Sequence, residues 1–223
     1  MIKKHIPNLL TCANLFSGCI GIIYAFKGDL KTVAFFVIIS GIFDFFDGFA
    51  ARLLNVKSEI GKELDSLADV ISFGLLPGVV MYQMLLNANA GIWAYAGFLI
   101  AVFSALRLAK FNIDDQQTEE FIGLNTPMNT FFIISLPYLT AYSDLLYNSY
   151  FLIALILLVC YLLVSKLKLF SMKMKQLSWE SNKYKFIFLI LSVVLLAFLK
   201  FAALPIVLLF YILFSQLHFK YSK

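Results

Sequence analysis

Apolar residues run almost unbroken along this chain in stretches of roughly 20, parted by short polar breaks, which is the spacing of helices that cross a bilayer. The stretches fall at about 7–26, 30–54, 66–87, 91–112, 127–143, 149–165, 185–199 and 201–219. The last two are short, and a helical hairpin turning near Lys200 accommodates them; six spans plus a re-entrant pair is the alternative. The pattern predicts an all-α polytopic transmembrane helix bundle of about eight helices, a six-helix core plus a C-terminal pair, built as a single domain over 1–223. The basic start before the first run resembles a signal peptide. However, Asn8, Thr11 and Asn14 interrupt that run at helical spacing, and it is expected to remain as the first helix.

Composition supports lipid as the solvent. Of 223 residues, 61% are hydrophobic and 14% charged, too few charges to cover a soluble domain of this size. Eight crossings put both termini on one side, and fifteen of the eighteen Lys and Arg then share that side, leaving Lys27, Lys31 and Lys200 opposite. Positive residues favour the cytoplasmic face, so a multi-pass protein of the cytoplasmic (inner) membrane with cytoplasmic termini is expected. The Lys-rich loop 166–185 is expected to be solvated against the anionic leaflet and in contact with membrane lipids. The net charge of +5 follows this topology and forms no aromatic-laced stripe, so no nucleic-acid partner is expected. Cys12, Cys19 and Cys160 lie in apolar runs without a CxxC spacing and are read as apolar packers. His5 and His218 stand alone near the termini.

The chemistry concentrates in 44–69. Asp44 and Asp47 are three apart on the second helix, and Asp65 and Asp69 four apart on the third, so each pair shares a face. A short turn joins the helices and lets the faces converge. Four carboxylates near hydrocarbon repel unless something positive compensates. Ion pairs with Arg52, Lys57 or Lys62 are one solution, and a hard divalent cation is the other. Oxygen-only ligands select Mg²⁺ or Mn²⁺. Gly48, Ala51 and Gly61 leave room at the helix contact, either for close packing or for a planar base. Asn8 and Thr11 share a face of the first helix and suit hydrogen bonds to a ligand or to a neighbouring helix. Arg107 and Lys110, three apart near the end of the fourth helix, fit a positive-inside anchor or an anion site. Ser58 and Ser66 have no His beside them, and they are read as helix-end hydroxyls rather than nucleophiles.

The spacing of Asp44, Asp47, Gly48, Ala51, Arg52, Gly61, Asp65 and Asp69 resembles the signature of the CDP-alcohol phosphotransferase family, D-x2-D-G-x2-A-R-x8-G-x3-D-x3-D, at every fixed position. Within it the chain resembles the bacterial membrane-integral phosphatidylserine synthases. It does so at Ile6–Thr11 with Asn14–Gly18, at Asp65–Pro77, at Ala105–Asn112 with Lys110 where Arg is usual, and at Phe121–Pro127 with Asn125 where Pro is usual.

The resemblance implies that Asp44, Asp47, Asp65 and Asp69 hold two divalent ions around a CDP diphosphate, and that Asp69 takes a proton from the acceptor hydroxyl. It implies a nucleotide site at Gly48, Ala51, Arg52 and Gly61 with Asn8 and Thr11, and an acceptor-carboxylate or lipid-phosphate site at Arg107 and Lys110. The implied reaction joins CDP-diacylglycerol and L-serine to give phosphatidylserine and CMP, in a homodimer. Glycerol 3-phosphate or an inositol phosphate as acceptor, or a cation-coupled transporter, are the alternatives.

Overall fold

A computed structural model of the chain describes residues 5–56, 58–113, 120–171 and 179–221. Helix α1 (His5–Phe26) and helix α2 (Leu30–Leu53) pack along their lengths. Between them Gly28 takes φ 76°. Asp29 caps α2 by accepting from the Thr32 amide at 3.1 Å, and its hydrogen bonds to Thr32 hold its carboxyl below the usual carboxylate range. A turn through Asn55 at φ 54° leads to Ser58, whose hydroxyl accepts from the Gly61 amide at 3.1 Å and caps α3 (Glu59–Asp69).

The helix does not stop at Asp69. Val70–Leu75 continue it as a π-helix, and α4 (Leu76–Asn87) completes a run of 29 residues. The sequence explains the change of register. Pro77 has no N–H, so the Phe73 carbonyl loses its α-helical donor. The Leu76 amide bonds the Ile71 carbonyl instead, and the Thr130 hydroxyl donates to the Phe73 carbonyl at 2.8 Å. The wider turn presses on both neighbours: a Cβ on Gly18 of α1 would collide with the Ser72 hydroxyl, and one on Gly74 would come within 3.1 Å of Ser104 Cβ.

A 3-10 turn (Gly91–Phe98) leads into α5 (Leu99–Ile113). The chain resumes with a short strand β1 (Glu120–Ile122), α6 (Thr126–Leu139), α7 (Ser149–Val164) and strand β2 (Lys168–Phe170). It ends in α8 (Trp179–Leu199), a 3-10 turn from Lys200, and α9 (Leu204–Tyr221). Lys200 sits at φ 51°, and α8 packs against α9, so the last apolar run folds back as the expected hairpin.

Each of the eight expected segments meets a helix. By length and composition, five helical runs among the described residues can cross a membrane, with the 16-residue α7 a shorter apolar helix. The third segment differs from expectation: it begins at Glu59 rather than 66, because its first turns are amphipathic and carry no continuous apolar signal. The architecture is an all-α polytopic bundle whose outer faces present Phe35, Phe45, Phe46, Phe49 and Leu53 outward, as lipid-facing surfaces do.

One expectation is corrected. Loop 166–185 is not solvated over its first part: β2 pairs antiparallel with β1, and Leu169 and Phe170 are buried. These two apolar residues add to a second core with Leu124, Phe188, Leu208 and Tyr211. The Phe170 amide donates to Ser215 Oγ at 3.3 Å, and its carbonyl accepts from the Tyr211 hydroxyl at 2.9 Å. Lys173 and Lys175 of that loop, like Lys57, lie outside the described residues.

Candidate functional site

The site is built where α1, α2 and α3 meet. On α1 the polar residues Asn8, Thr11 and Asn14 face inward against the two Asp-bearing helices. The Thr11 hydroxyl donates to Asp47 Oδ2 at 2.7 Å and lies 3.1 Å from the Pro7 carbonyl. The Asn14 amide lies 3.5 Å from Asp69 Oδ1, and its backbone carbonyl accepts from Ser40 and Ser72 at 3.2 and 3.1 Å. Asn14 thereby ties α1 to α2, to the π-helix and to Asp69 together.

Asp44, Asp47 and Asp65 bring one carboxylate oxygen each to within 4.8 Å of one another. Asp69 lies one turn deeper than Asp65 and is buried, close enough to interact electrostatically with the other three. The structure therefore groups three of the expected ligands tightly and sets the fourth behind them.

The ion-pair alternative has no support among the described residues. Arg52 is exposed, and the Lys62 ammonium donates to the Asn112 carbonyl at 2.6 Å. Asp65 Oδ1 is buried with no hydrogen-bond partner. Three converging carboxylates, an orphaned buried oxygen and an all-oxygen donor set fit a hard divalent cation.

A cleft of about 530 Å³ opens from this cluster, lined by Asn8, Thr11, Asp47, Gly48, Ala51 and Gly61, with His5, Val56, Ile60 and Lys62 at its rim. The two glycines differ. A Cβ on Gly48 would project into open space, whereas one on Gly61 would meet Asn8 Oδ1 at 3.0 Å. Gly48 therefore keeps the cleft wide, and Gly61 lets α1 and α3 approach. Arg52, the remaining residue expected here, does not line the cleft.

Arg107 and Lys110 separate in the same way. Both border a small cleft with Phe111, Ile122 and Ser165, but Lys110 is exposed while Arg107 is buried with its Nε unpaired. Arg107 is within electrostatic reach of Asp69 and of Tyr211 on α9. The two departures from the resembled motifs have local roles. Asn125 caps α6, accepting from the Met128 amide at 2.8 Å, and Lys110 faces outward.

Sequence reasoning gave no role to the bond between Ser66 and Asn112, whose amide donates to Ser66 Oγ at 2.8 Å. Nor did it single out Thr126 and Asn129 on α6, both buried. Polar residues at helical spacing inside an apolar run were the available signal.

Residues 4–165 match the family model described as CDP-alcohol phosphatidyltransferase. The chain is similar to the CDP-diacylglycerol–serine O-phosphatidyltransferase of Bacillus subtilis, 32% identical over 165 residues that cover 74% of this chain and 89% of that one. It is similar to the protein of the same name from Helicobacter pylori, 38% identical over 123 residues, 54% of this chain and 52% of the relative. An archaetidylserine synthase of Methanothermobacter thermautotrophicus is 32% identical over 157 residues, 69% of this chain and 66% of its own length. The chain thus aligns with most of the Bacillus protein and about half of the Helicobacter one.

Proposed function

The chain belongs to the CDP-alcohol phosphatidyltransferase family, and on that premise we propose that it transfers a phosphatidyl group from CDP-diacylglycerol to L-serine, releasing CMP. The observation that carries this reading is the convergence of Asp44, Asp47 and Asp65 beside an open cleft, with Asp69 behind them. The relatives' names supply the acceptor.

Asp44, Asp47, Asp65 and Asp69 would hold two divalent ions, Mg²⁺ or Mn²⁺, which when bound neutralise the diphosphate and the departing CMP. Thr11 fixes one oxygen of Asp47 by its hydrogen bond. The cleft beside Gly48 and Ala51 takes the cytidine, with Asn8 on its wall. Asp69 receives the proton of the serine hydroxyl. The serine oxygen then bonds to the phosphorus that carries diacylglycerol, and the bond from that phosphorus to the CMP oxygen breaks. Burial of Asp69 holds it away from bulk water. Arg107 suits the serine carboxylate because its planar fork can pair both oxygens.

Placement at the cytoplasmic ends of the helices is part of the proposal. One substrate keeps two acyl chains in the bilayer, and the other arrives from water. The distribution of Lys and Arg supports that orientation. A homodimer follows only from resemblance, and the particle mass in detergent tests it. The test of the reaction is purified protein given CDP-diacylglycerol with L-serine, glycerol 3-phosphate or an inositol phosphate. CMP release with serine alone is expected, and release with glycerol 3-phosphate alone would overturn the assignment.

A further inference from the structure

Helix α6 begins with three polar residues on one face, Thr126, Asn129 and Thr130, all buried. Thr130 places that face over the π-helix through its bond to the Phe73 carbonyl. Asn129 is 0% exposed, yet neither its Oδ1 nor its Nδ2 has a partner, and Thr126 Oγ1 is also unpaired. Such a buried amide is costly unless something completes it. Helix α5 also packs on the π-helix and repeats the pattern. Ser104 rests on Gly74, Arg107 follows one turn later, and Ser104 Oγ and Arg107 Nε are both buried and unpaired. The helix 59–87 and α6 both run inward from the same end of the bundle, so Thr126, one turn before Thr130, reaches the depth of Asp69, one turn before Phe73, and Asn129 lies just inside it next to Thr130. Arg107 reaches the same depth and interacts with Asp69.

We infer that Asn129, with Thr126, is the group that receives the ammonium of the amino-acid acceptor. The inference rests on the serine reading above and deepens it. A zwitterion brings one anionic and one cationic end. Arg107 answers the carboxylate, and the Asn129 carbonyl oxygen and Thr126 hydroxyl answer the ammonium, which leaves the hydroxyl between them to face Asp69. A phosphorylated acceptor offers no cationic donor to those two oxygens and brings more negative charge than one buried Arg can match. The amide of Asn129 is free to turn its oxygen toward the ligand, since no neighbour holds either end.

Three measurements test this. Wild-type protein should use L-serine far better than 3-hydroxypropanoate, the same acceptor without its amino group. Asn129→Leu should raise KM for L-serine by about tenfold or more, as loss of a hydrogen bond to a charged group does. It should leave KM for CDP-diacylglycerol within about twofold, and it should narrow the preference for L-serine over 3-hydroxypropanoate. An unchanged serine KM in a folded Asn129→Leu variant overturns the inference. If that variant does not fold, equal kcat/KM for serine and 3-hydroxypropanoate in the wild type overturns it, and a strong preference for serine supports it. Failure of the serine reading itself is distinct, because wild-type protein would then release no CMP with L-serine at all.

Discussion

The side-chain amide of Asn112, at the end of α5, donates to the hydroxyl of Ser66 on α3 at 2.8 Å. Ser66 follows Asp65 directly, and Lys62, one turn earlier, bonds the Asn112 carbonyl at 2.6 Å. Two segments that resemble separate phosphatidylserine synthase motifs are therefore one latch, and it holds the helix that presents Asp65 and Asp69. Asn112→Ala and Ser66→Ala should each lower stability by about 1 kcal/mol, read by thermal unfolding in detergent. The double variant should cost no more than either alone, as residues sharing one bond do.

Asp69→Asn should keep CDP-diacylglycerol binding and lose turnover by about a hundredfold or more, the usual worth of a positioned proton acceptor. Asp44→Ala should instead shift the divalent-ion titration and lose activity with it. Kinetics measured against both substrate and metal separate the two; near-normal turnover in either variant would contradict the roles assigned.

Chelation should abolish CMP release, and Mg²⁺ or Mn²⁺ should restore it. The same ions should raise the melting temperature of the wild type by mass action on the folded state and have little effect on Asp44→Ala. Full activity in chelator would refute the reading of the carboxylate cluster.

Gly48→Val and Gly61→Ala should fail differently. At Gly48 the added carbons enter open cleft, so the protein should fold normally while KM for CDP-diacylglycerol rises. At Gly61 the added carbon pushes on Asn8 Oδ1, so the melting temperature should fall as well. Unfolding curves set beside Michaelis constants decide between them.

Gly123 combines φ 76° with a carbonyl, that of Leu163, 2.6 Å from where a Cβ would sit. Gly123→Ala should destabilise by about 1–3 kcal/mol. Because Gly123 follows β1 and its amide bonds the Leu167 carbonyl at 2.8 Å, exchange of the Gly123 and Leu124 amides should quicken most.

Much of this was legible in the sequence because lipid permits few alternatives. Helix lengths, the hairpin at Lys200 and the pairing of the Asp faces follow from apolar run length and helical period. The π-helix was not legible, since one extra residue in a turn leaves the apolar pattern of Val70–Leu75 unchanged; only Pro77 hints at it. The strands were hidden because Leu169 and Phe170 stand between Lys168 and Ser171, and three residues carry no readable alternation. Arg52 matches a motif position, yet it is exposed and does not line the cleft it was expected to line, and Lys110 is exposed at the small cleft where Arg107 is buried. A motif fixes spacing along the chain, whereas exposure depends on how far each helix is rotated. Asn129 went unnoticed because Thr126, Asn129 and Thr130 at the start of an apolar helix read as packing until burial and missing partners are both known.

At Gly18 the absent side chain leaves its place to Ser72, three residues beyond Asp69. The depth of Asp69, the proposed proton acceptor, is thus gauged by a helix that carries no charge at that point. Any larger residue there would press on the π-turn that follows Asp69, so a buried position with no chemistry of its own would set the reach of the proposed proton acceptor.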